Sequence, residues 1–332
     1  MAEQRRGGVV PNGWRRLAWV AALVLVALPW PAARAADAES RLSTYAYEDT
    51  RRLVDLVEQA AGLIEKQGET AFGAFAVRGS KWFDGSIYLF VYKLDGTCLF
   101  HAASPELIGR NLIGLRDLDG KPVIRYITDI GRQPEPDAFG WVFYLWQEGT
   151  QLSPSWKSTY VRKVVTRGGE ALVVGSGLYD IKIEKAFVAE RVGHAVELLK
   201  GAGIEAAFNA FRDPSSPFSF LDTYVFVLDE TGQTLVDPSF PNMAGRDLSG
   251  FEDAVGMKPI AELLRKLAIA DDAWVQYLWR RPGEPVPTRK LIYARKLTLD
   301  RMTLIVGSDY FLATPIWMRV EDARSWPSDP TG

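Results

Sequence analysis

The sequence predicts an α+β protein made of two tandem copies of one domain, each an antiparallel sheet packed on a long N-terminal helix. Three observations predict it. The chain has 332 residues, the length of two ordinary domains. Its second half repeats rare residues of the first half in the same order. Within each half, residues of helical periodicity precede five short runs of strand character separated by turns.

The repeat is read directly. Tyr88-Leu-Phe-Val, Leu99 and Gly109-Arg110-Asn111-Leu112 recur as Tyr224-Val-Phe-Val, Leu235 and Gly245-Arg246-Asp247-Leu248, all at an offset of 136. Trp141-x-x-Tyr144-Leu145-Trp146 recurs as Trp274-x-x-Tyr277-Leu278-Trp279, and Lys157-x-x-Tyr160-x-Arg162-Lys163 as Lys290-x-x-Tyr293-x-Arg295-Lys296, at an offset of 133. Val174-Gly175-Ser176 returns as Val306-Gly307-Ser308 at 132. So small a drift is what loop deletions produce, and chance does not align this many rare residues.

Taken in order, Leu42, Leu53, Leu56, Val57, Ala60, Leu63 and Ile64 mark the apolar stripe of an amphipathic helix over 41–67, with a short helix near 70–78. Gly85 opens a strand at 86–94, Asp95-Gly96 makes a tight hairpin turn, and 97–101 returns. A loop carrying Pro105 and Gly109 leads to a helix near 121–130, with Pro122 at its start. Strands at 140–147, 157–166 and 171–179 complete the unit as an antiparallel meander. A helix over 181–200 links the copies and opens the second. That copy has strands near 222–229, 233–237, 273–280, 288–297 and 302–309 and a helix at 257–269. The domains are placed at 36–183 and 184–318, and the Pro-containing end, 319–332, is expected to be a disordered tail.

At the N-terminus, Arg15-Arg16 precedes an apolar run from Leu17 to Trp30, followed by Ala33-Arg34-Ala35. This is the pattern of a secretory signal peptide over 1–35, and the run is short of a membrane span. The mature chain is therefore expected in the periplasm; an uncleaved anchor is the alternative. Without that segment the chain carries 34 basic and 40 acidic side chains, net −6. An acidic body argues against nucleic acid, and an acid ligand would have to be held by a local pocket. The single cysteine, Cys98, leaves no intrachain disulfide and no thiolate metal site.

Two helices, a hairpin, a crossover helix and three antiparallel strands describe a PAS-like α+β layer. The motifs narrow this further. Tyr88-x-Phe-Val, Asp95-Gly-Thr, Leu107-Ile-Gly-Arg-Asn-Leu, Asp117-x-Asp-Gly-Lys-Pro, Gly140-Trp-x-x-Tyr-x-Trp, Lys157-x-x-Tyr-Val and Val174-Gly-Ser-Gly-x-Tyr179 together resemble the Cache domain family, closest to its single Cache, type 2 branch. The first copy matches best. In the second, Thr231-Gly232 replaces Asp-Gly, the Asp-x-Asp-Gly stretch reads as lost, and Asp309 stands where Gly177 stands. With its helices the likeness covers about 41–315. It implies extracytoplasmic sensing of small molecules, often acetate, lactate or pyruvate. Relatives usually sit on histidine kinases or chemoreceptors. This chain leaves no room for a transmitter, so a free-standing periplasmic sensor is expected, working with a separate membrane receptor, kinase or transporter.

A small carboxylate needs a fixed cation or several donors in a mostly apolar cavity. Lys157 supplies the cation, and Tyr88, Tyr144, Trp146, Tyr160, Trp141 and His101 are the other candidates. The second copy offers Lys290, Tyr224, Tyr277, Trp279, Tyr293 and Asp237. Parity limits both sets. Tyr144 and Trp146 share a sheet face, whereas Trp141 and Tyr160 fall on the opposite parity from Tyr144 and Lys157 on regular strands. Asp237, at the position of His101, would repel a carboxylate, so the second pocket takes an amine-bearing or protonated ligand or is only structural.

No catalytic arrangement emerges. Gly175-Ser176-Gly177 is not a nucleophile elbow, His101 and His194 have no triad spacing, and Asp117-x-Asp119-Gly120 fails as a calcium loop. The expectation is a binder with no cofactor and no metal. The alternatives are a partner-binding protein with vestigial pockets and a secreted hydrolase.

Overall fold

The computed structural model describes residues 39–148, 153–179, 181–281, 286–299 and 301–312. The signal-peptide reading of 1–35 and the tail from 319 lie outside the described residues. Among those described, no helix is long and apolar enough to cross a membrane.

The first module opens with a short helical segment at 39–44, which breaks before helix α1 (Glu48–Gln67). Its strands are β1 (Phe83–Asp84), β2 (Ile87–Tyr88), β3 (Phe90–Lys93), β4 (Cys98–His101), β5 (Phe139–Trp146), β6 (Ser155–Val165) and β7 (Ala171–Tyr179), with helix α2 (Val123–Gly131) between β4 and β5. The second module carries α3 (Lys185–Ala202), α4 (Ile204–Arg212), β8 (Ser219–Phe220), β9 (Thr223–Asp229), β10 (Thr234–Val236), α5 (Pro259–Leu267), β11 (Asp272–Arg280), β12 (Pro287–Leu299) and β13 (Met302–Phe311). The two main sheets run β4-β3-β7-β6-β5 and β10-β9-β13-β12-β11, antiparallel throughout. The same strand order twice is the internal repeat expressed as topology.

Period-2 alternation sorts each sheet into two buried faces. In the first module Leu89, Val91, Trp141, Tyr160 and Val174 pack under Leu53, Val57 and Ile64 of α1. The neighbours Phe90, Tyr92, Val142, Tyr144 and Val161 turn the other way, onto Val123, Ile124 and Ile127 of α2. The second module repeats this, with Val192, Val196 and Leu199 of α3 on one face and Ile260 and Leu263 of α5 on the other. Both sheets are therefore covered on both sides. In each module a cavity is lined by the loop that follows the hairpin, after β4 in the first and after β10 in the second.

Three boundaries differ from the sequence reading. The first long helix starts at Glu48, because Tyr45 turns into the core and its hydroxyl accepts from Trp141 Nε1 at 3.0 Å. The strand expected at 86–94 breaks at Leu89 into β2 and β3. The linking helix ends at Gly203, with φ +84°, and α4 follows where no element was expected.

The modules are tied together through charged and aromatic groups. Lys121 Nζ donates to the carbonyls of Pro214, Ser216 and Ser219 at 3.0, 2.7 and 2.7 Å. Tyr126 Oη donates to the carbonyl of Ser215. Phe143 stacks on Phe220 at 3.8 Å, and the Arg191 guanidinium lies 5.5 Å from the Phe143 ring centre.

Candidate ligand-binding sites

In the first module, β6 places Lys157 between Tyr144 on β5 and Tyr179 on β7. The lysine is 1% exposed. Its Nζ donates to Tyr88 Oη at 2.6 Å and lies 4.0 and 5.0 Å from the ring centres of Tyr88 and Tyr179. Gly177 makes this packing possible: a Cβ there would sit 2.7 Å from Lys157 Cε and 2.5 Å from Thr159 Oγ1. Burial pulls the Lys157 pKa down to about 7, against an opposing pull from Glu148. Tyr144 Oη and Thr159 Oγ1 share a 2.9 Å hydrogen bond.

His101 is also buried, and its Nδ1 accepts from the Ser104 N–H at 3.0 Å, which leaves the ring proton on Nε2. Burial, and then the Lys157 charge, lower its pKa to about 4, so the imidazole is neutral. In front of these groups is an open cleft of about 790 Å³. Tyr88, Trp146 and Tyr179 form its inner wall, with Arg78, Arg110 and Arg116 among the residues at its sides. Lys157, Tyr144 and His101 lie behind the wall, with Lys157 held against the back of Tyr88.

The second module builds the same frame and fills it differently. Lys290 on β12 lies between Tyr277 and Phe311, in the register of Lys157. Its Nζ is 2.9 Å from Asp309 Oδ2, and both side chains are buried. Asp309 holds the position of Gly177, so a carboxylate occupies space that the first module leaves to Thr159 and the lysine stem. The other oxygen, Asp309 Oδ1, is buried without a hydrogen-bond partner, and burial raises the pKa of this carboxyl.

Asp237 replaces His101 and keeps its local task. Its Oδ1 accepts the N–H groups of Ser239 and Phe240 at 3.1 and 3.0 Å, as His101 Nδ1 accepts that of Ser104. Burial, with the Asp309 charge adding, moves its pKa up to about 6. Both carboxylates, Lys290, Tyr224, Tyr277 and Trp279 line one cavity of about 70 Å³, walled further by Phe240 and Phe251.

Trp141, Tyr160 and Tyr293 do not join these sites. Trp141 and Tyr160 are cross-strand partners on the α1 face, where Tyr160 Oη donates to Glu58 at 2.8 Å. Tyr293 lies on the α3 face and donates to Asp272 at 3.1 Å. Their parity excludes them, as regular strands require. The Asp-x-Asp-Gly pattern is broken in the second module, where the stretch reads Asp253-Ala-Val-Gly, yet its first aspartate keeps its structural task. Asp117 Oδ1 accepts from the N–H groups of Asp119 and Lys121 while Oδ2 accepts from Leu145 N–H. Asp253 does the same for Val255, Met257 and Leu278. The second aspartate has changed, to Val255.

Tyr179 and Asp309 are the most consequential residues outside the candidate sets, beside Thr159, Phe240 and Phe251. Tyr179, on the cleft wall, signalled itself only as the end of a motif. Asp309 was visible as a departure from glycine, but its pairing with Lys290 needs the β12–β13 register.

Comparison with known proteins gives two family matches in tandem. A model described as "Cache domain" matches residues 75–186, and one described as "Single Cache domain 2" matches 197–311. The single Cache, type 2 likeness thus falls on the second module, whereas the motifs had placed it best on the first. The methyl-accepting chemotaxis protein McpP of Pseudomonas putida is 26% identical over 146 residues, 42% of this chain and 26% of that protein. The match therefore spans about a quarter of the relative's length. Among solved structures, a methyl-accepting chemotaxis protein from Vibrio parahaemolyticus is 19% identical, with 44% of this chain and 96% of that chain covered and a TM-score of 0.33. A periplasmic sensor domain of a chemotaxis protein is 28% identical, with 46% and 100% covered and a TM-score of 0.31.

Proposed function

We propose that this chain, whose two tandem modules belong to the Cache domain family, is a periplasmic sensor that captures a short-chain carboxylate of the acetate, lactate or pyruvate type in its first module. One observation carries the reading. The second module supplies its buried lysine with an internal carboxylate, Asp309, 2.9 Å away, and the first module has Gly177 at that position. A ligand carboxylate completes the first module in the way that Asp309 completes the second.

A small acid enters the cleft, passes the Tyr88–Tyr179 wall, and takes the place of Tyr88 Oη on Lys157 Nζ. The Tyr144–Thr159 hydroxyl pair, which keeps one proton free beyond its mutual hydrogen bond, and the Nε2–H of neutral His101 are further donors for a second oxygen or an α-substituent. Two hydrogen bonds to a charged carboxylate in a site shielded from water are strong ones. The displaced tyrosine is the movable part, and its displacement is the signal that a membrane receptor, kinase or transporter reads. This is a binding cycle with no bond made or broken.

The test is a thermal-shift screen of the full chain against C2 to C6 carboxylates and amino acids. A carboxylate that raises the melting temperature in wild type and not in Lys157→Met supports the reading, since a ligand of the native state stabilises it by mass action. No shift from any carboxylate, with cooperative unfolding retained, favours a partner-binding protein whose first pocket is vestigial.

A further inference from the structure

We propose that the cavity of the second module binds a small organic cation, an alkylammonium ion, between the carboxylates of Asp237 and Asp309 and the rings of Tyr224, Tyr277, Trp279, Phe240 and Phe251. The first observation is charge. Two carboxylates and one lysine line the cavity, and Lys290 is committed to Asp309 Oδ2. The uncommitted charge is negative.

The second observation is an unmet acceptor. Asp309 is 3% exposed and its Oδ1 has no hydrogen-bond partner. A buried carboxylate oxygen left without a donor is costly, and an N–H from a ligand removes that cost. Asp237 spends Oδ1 on its own loop, through Ser239 and Phe240, which leaves Oδ2 for a ligand.

The third observation is the wall. Aromatic faces attract an alkylated ammonium, whose charge is spread over apolar carbons. A hard metal ion is the wrong occupant, because it demands six or more oxygen ligands and gains nothing from rings. The cavity of about 70 Å³ sets the size. At roughly 30 Å³ for a water it holds an ion of about two or three non-hydrogen atoms. Methylammonium and ethylammonium fit this range, and propylammonium probes its upper limit.

This site is separate from the carboxylate site of the first module. The test is calorimetric titration of the full chain with methylammonium, ethylammonium and propylammonium chloride, against sodium chloride at matched ionic strength. It is run on wild type, Asp237→Asn and Lys157→Met. At least one ammonium ion binds wild type. Asp237→Asn weakens that binding by about tenfold or more, the loss expected for a charge-assisted hydrogen bond, and asparagine keeps the Oδ1 acceptor that the loop needs. Lys157→Met leaves it unchanged. The proposal is overturned if none of the three ions binds a chain that still unfolds cooperatively, or if Asp237→Asn binds as tightly as wild type. Neither outcome bears on the carboxylate reading, which is decided by carboxylates and Lys157→Met.

Discussion

The two modules share a strand order, a lysine and a loop-anchoring aspartate, yet their cavities have opposite character. In the first, Lys157 rests on the Tyr88 hydroxyl beside a neutral histidine, behind a cleft of about 790 Å³. In the second, Lys290 is locked to Asp309, Asp237 stands in for the histidine, and the cavity shrinks to about 70 Å³. Two exchanges, Gly177 for Asp309 and His101 for Asp237, account for the change in charge. A duplicated fold holds its frame through the residues that anchor backbone, and it changes specificity through the few side chains that face the cavity.

The largest expected difference is in stability. Lys290→Met leaves Asp309 as a buried, unpaired carboxylate, and breaking such a pair costs about 3–5 kcal/mol. Lys157→Met removes a desolvated ammonium and replaces it with an apolar side chain of similar length, so its cost is about 1 kcal/mol or less. Urea unfolding of the two variants measures both numbers. Equal costs would erase the distinction between the modules.

Next is the anchoring aspartate. Asp117→Ala and Asp253→Ala each remove the acceptor for three backbone N–H groups, including Leu145 or Leu278 on the adjoining strand. Each costs about 1–3 kcal/mol, and similar amounts in the two modules. A large inequality in urea unfolding would show that the frame is less shared than its hydrogen bonds.

A smaller effect is expected in pH dependence, with opposite signs in the two cavities. The folded-state pKa of Lys157, about 7, lies below the usual lysine value near 10.4. Between those values the unfolded chain binds more protons, so native stability rises with pH across that window. Lys121, lowered to about 8 by burial, contributes in the same direction, so Lys157→Met reduces the slope without abolishing it. Carboxylate affinity falls as Lys157 loses its proton above pH 7; Tyr88, Tyr179, His101 and Glu148 are the titratable groups that face it. Ammonium affinity instead rises as Asp237 ionises through about 6, with Asp309, Lys290, Tyr224 and Tyr277 facing it. Calorimetry from pH 5 to 9 reads both slopes, and slopes of the same sign would contradict the charge assignment.

Much of this was legible in the sequence because it is local or periodic. The repeat located all five main strands of each module, since strand pairs joined by short turns carry their register in alternation and turn residues. Parity alone separated Trp141 and Tyr160 from Tyr144 and Trp146. What stayed hidden depends on distant partners. Tyr88 and Lys157 meet 69 residues apart. The break at Tyr45 exists because Trp141, 96 residues away, offers a donor. The single match of the Lys290 and Asp309 side chains needs the pairing of β12 with β13, which no motif specifies. The role of Asp253 was missed for another reason: the eye follows the whole Asp-x-Asp-Gly pattern, whereas the chemistry uses only its first residue.

The proposed role of Lys157, as the cation that a carboxylate ligand completes, is decided by calorimetric titration of wild type and Lys157→Met with pyruvate, propionate and acetate at pH 6.5. Wild type is expected to bind at least one acid saturably, and Lys157→Met to lose about tenfold to a hundredfold, the range for a charge-assisted hydrogen bond. Binding that survives the substitution unchanged would contradict that role.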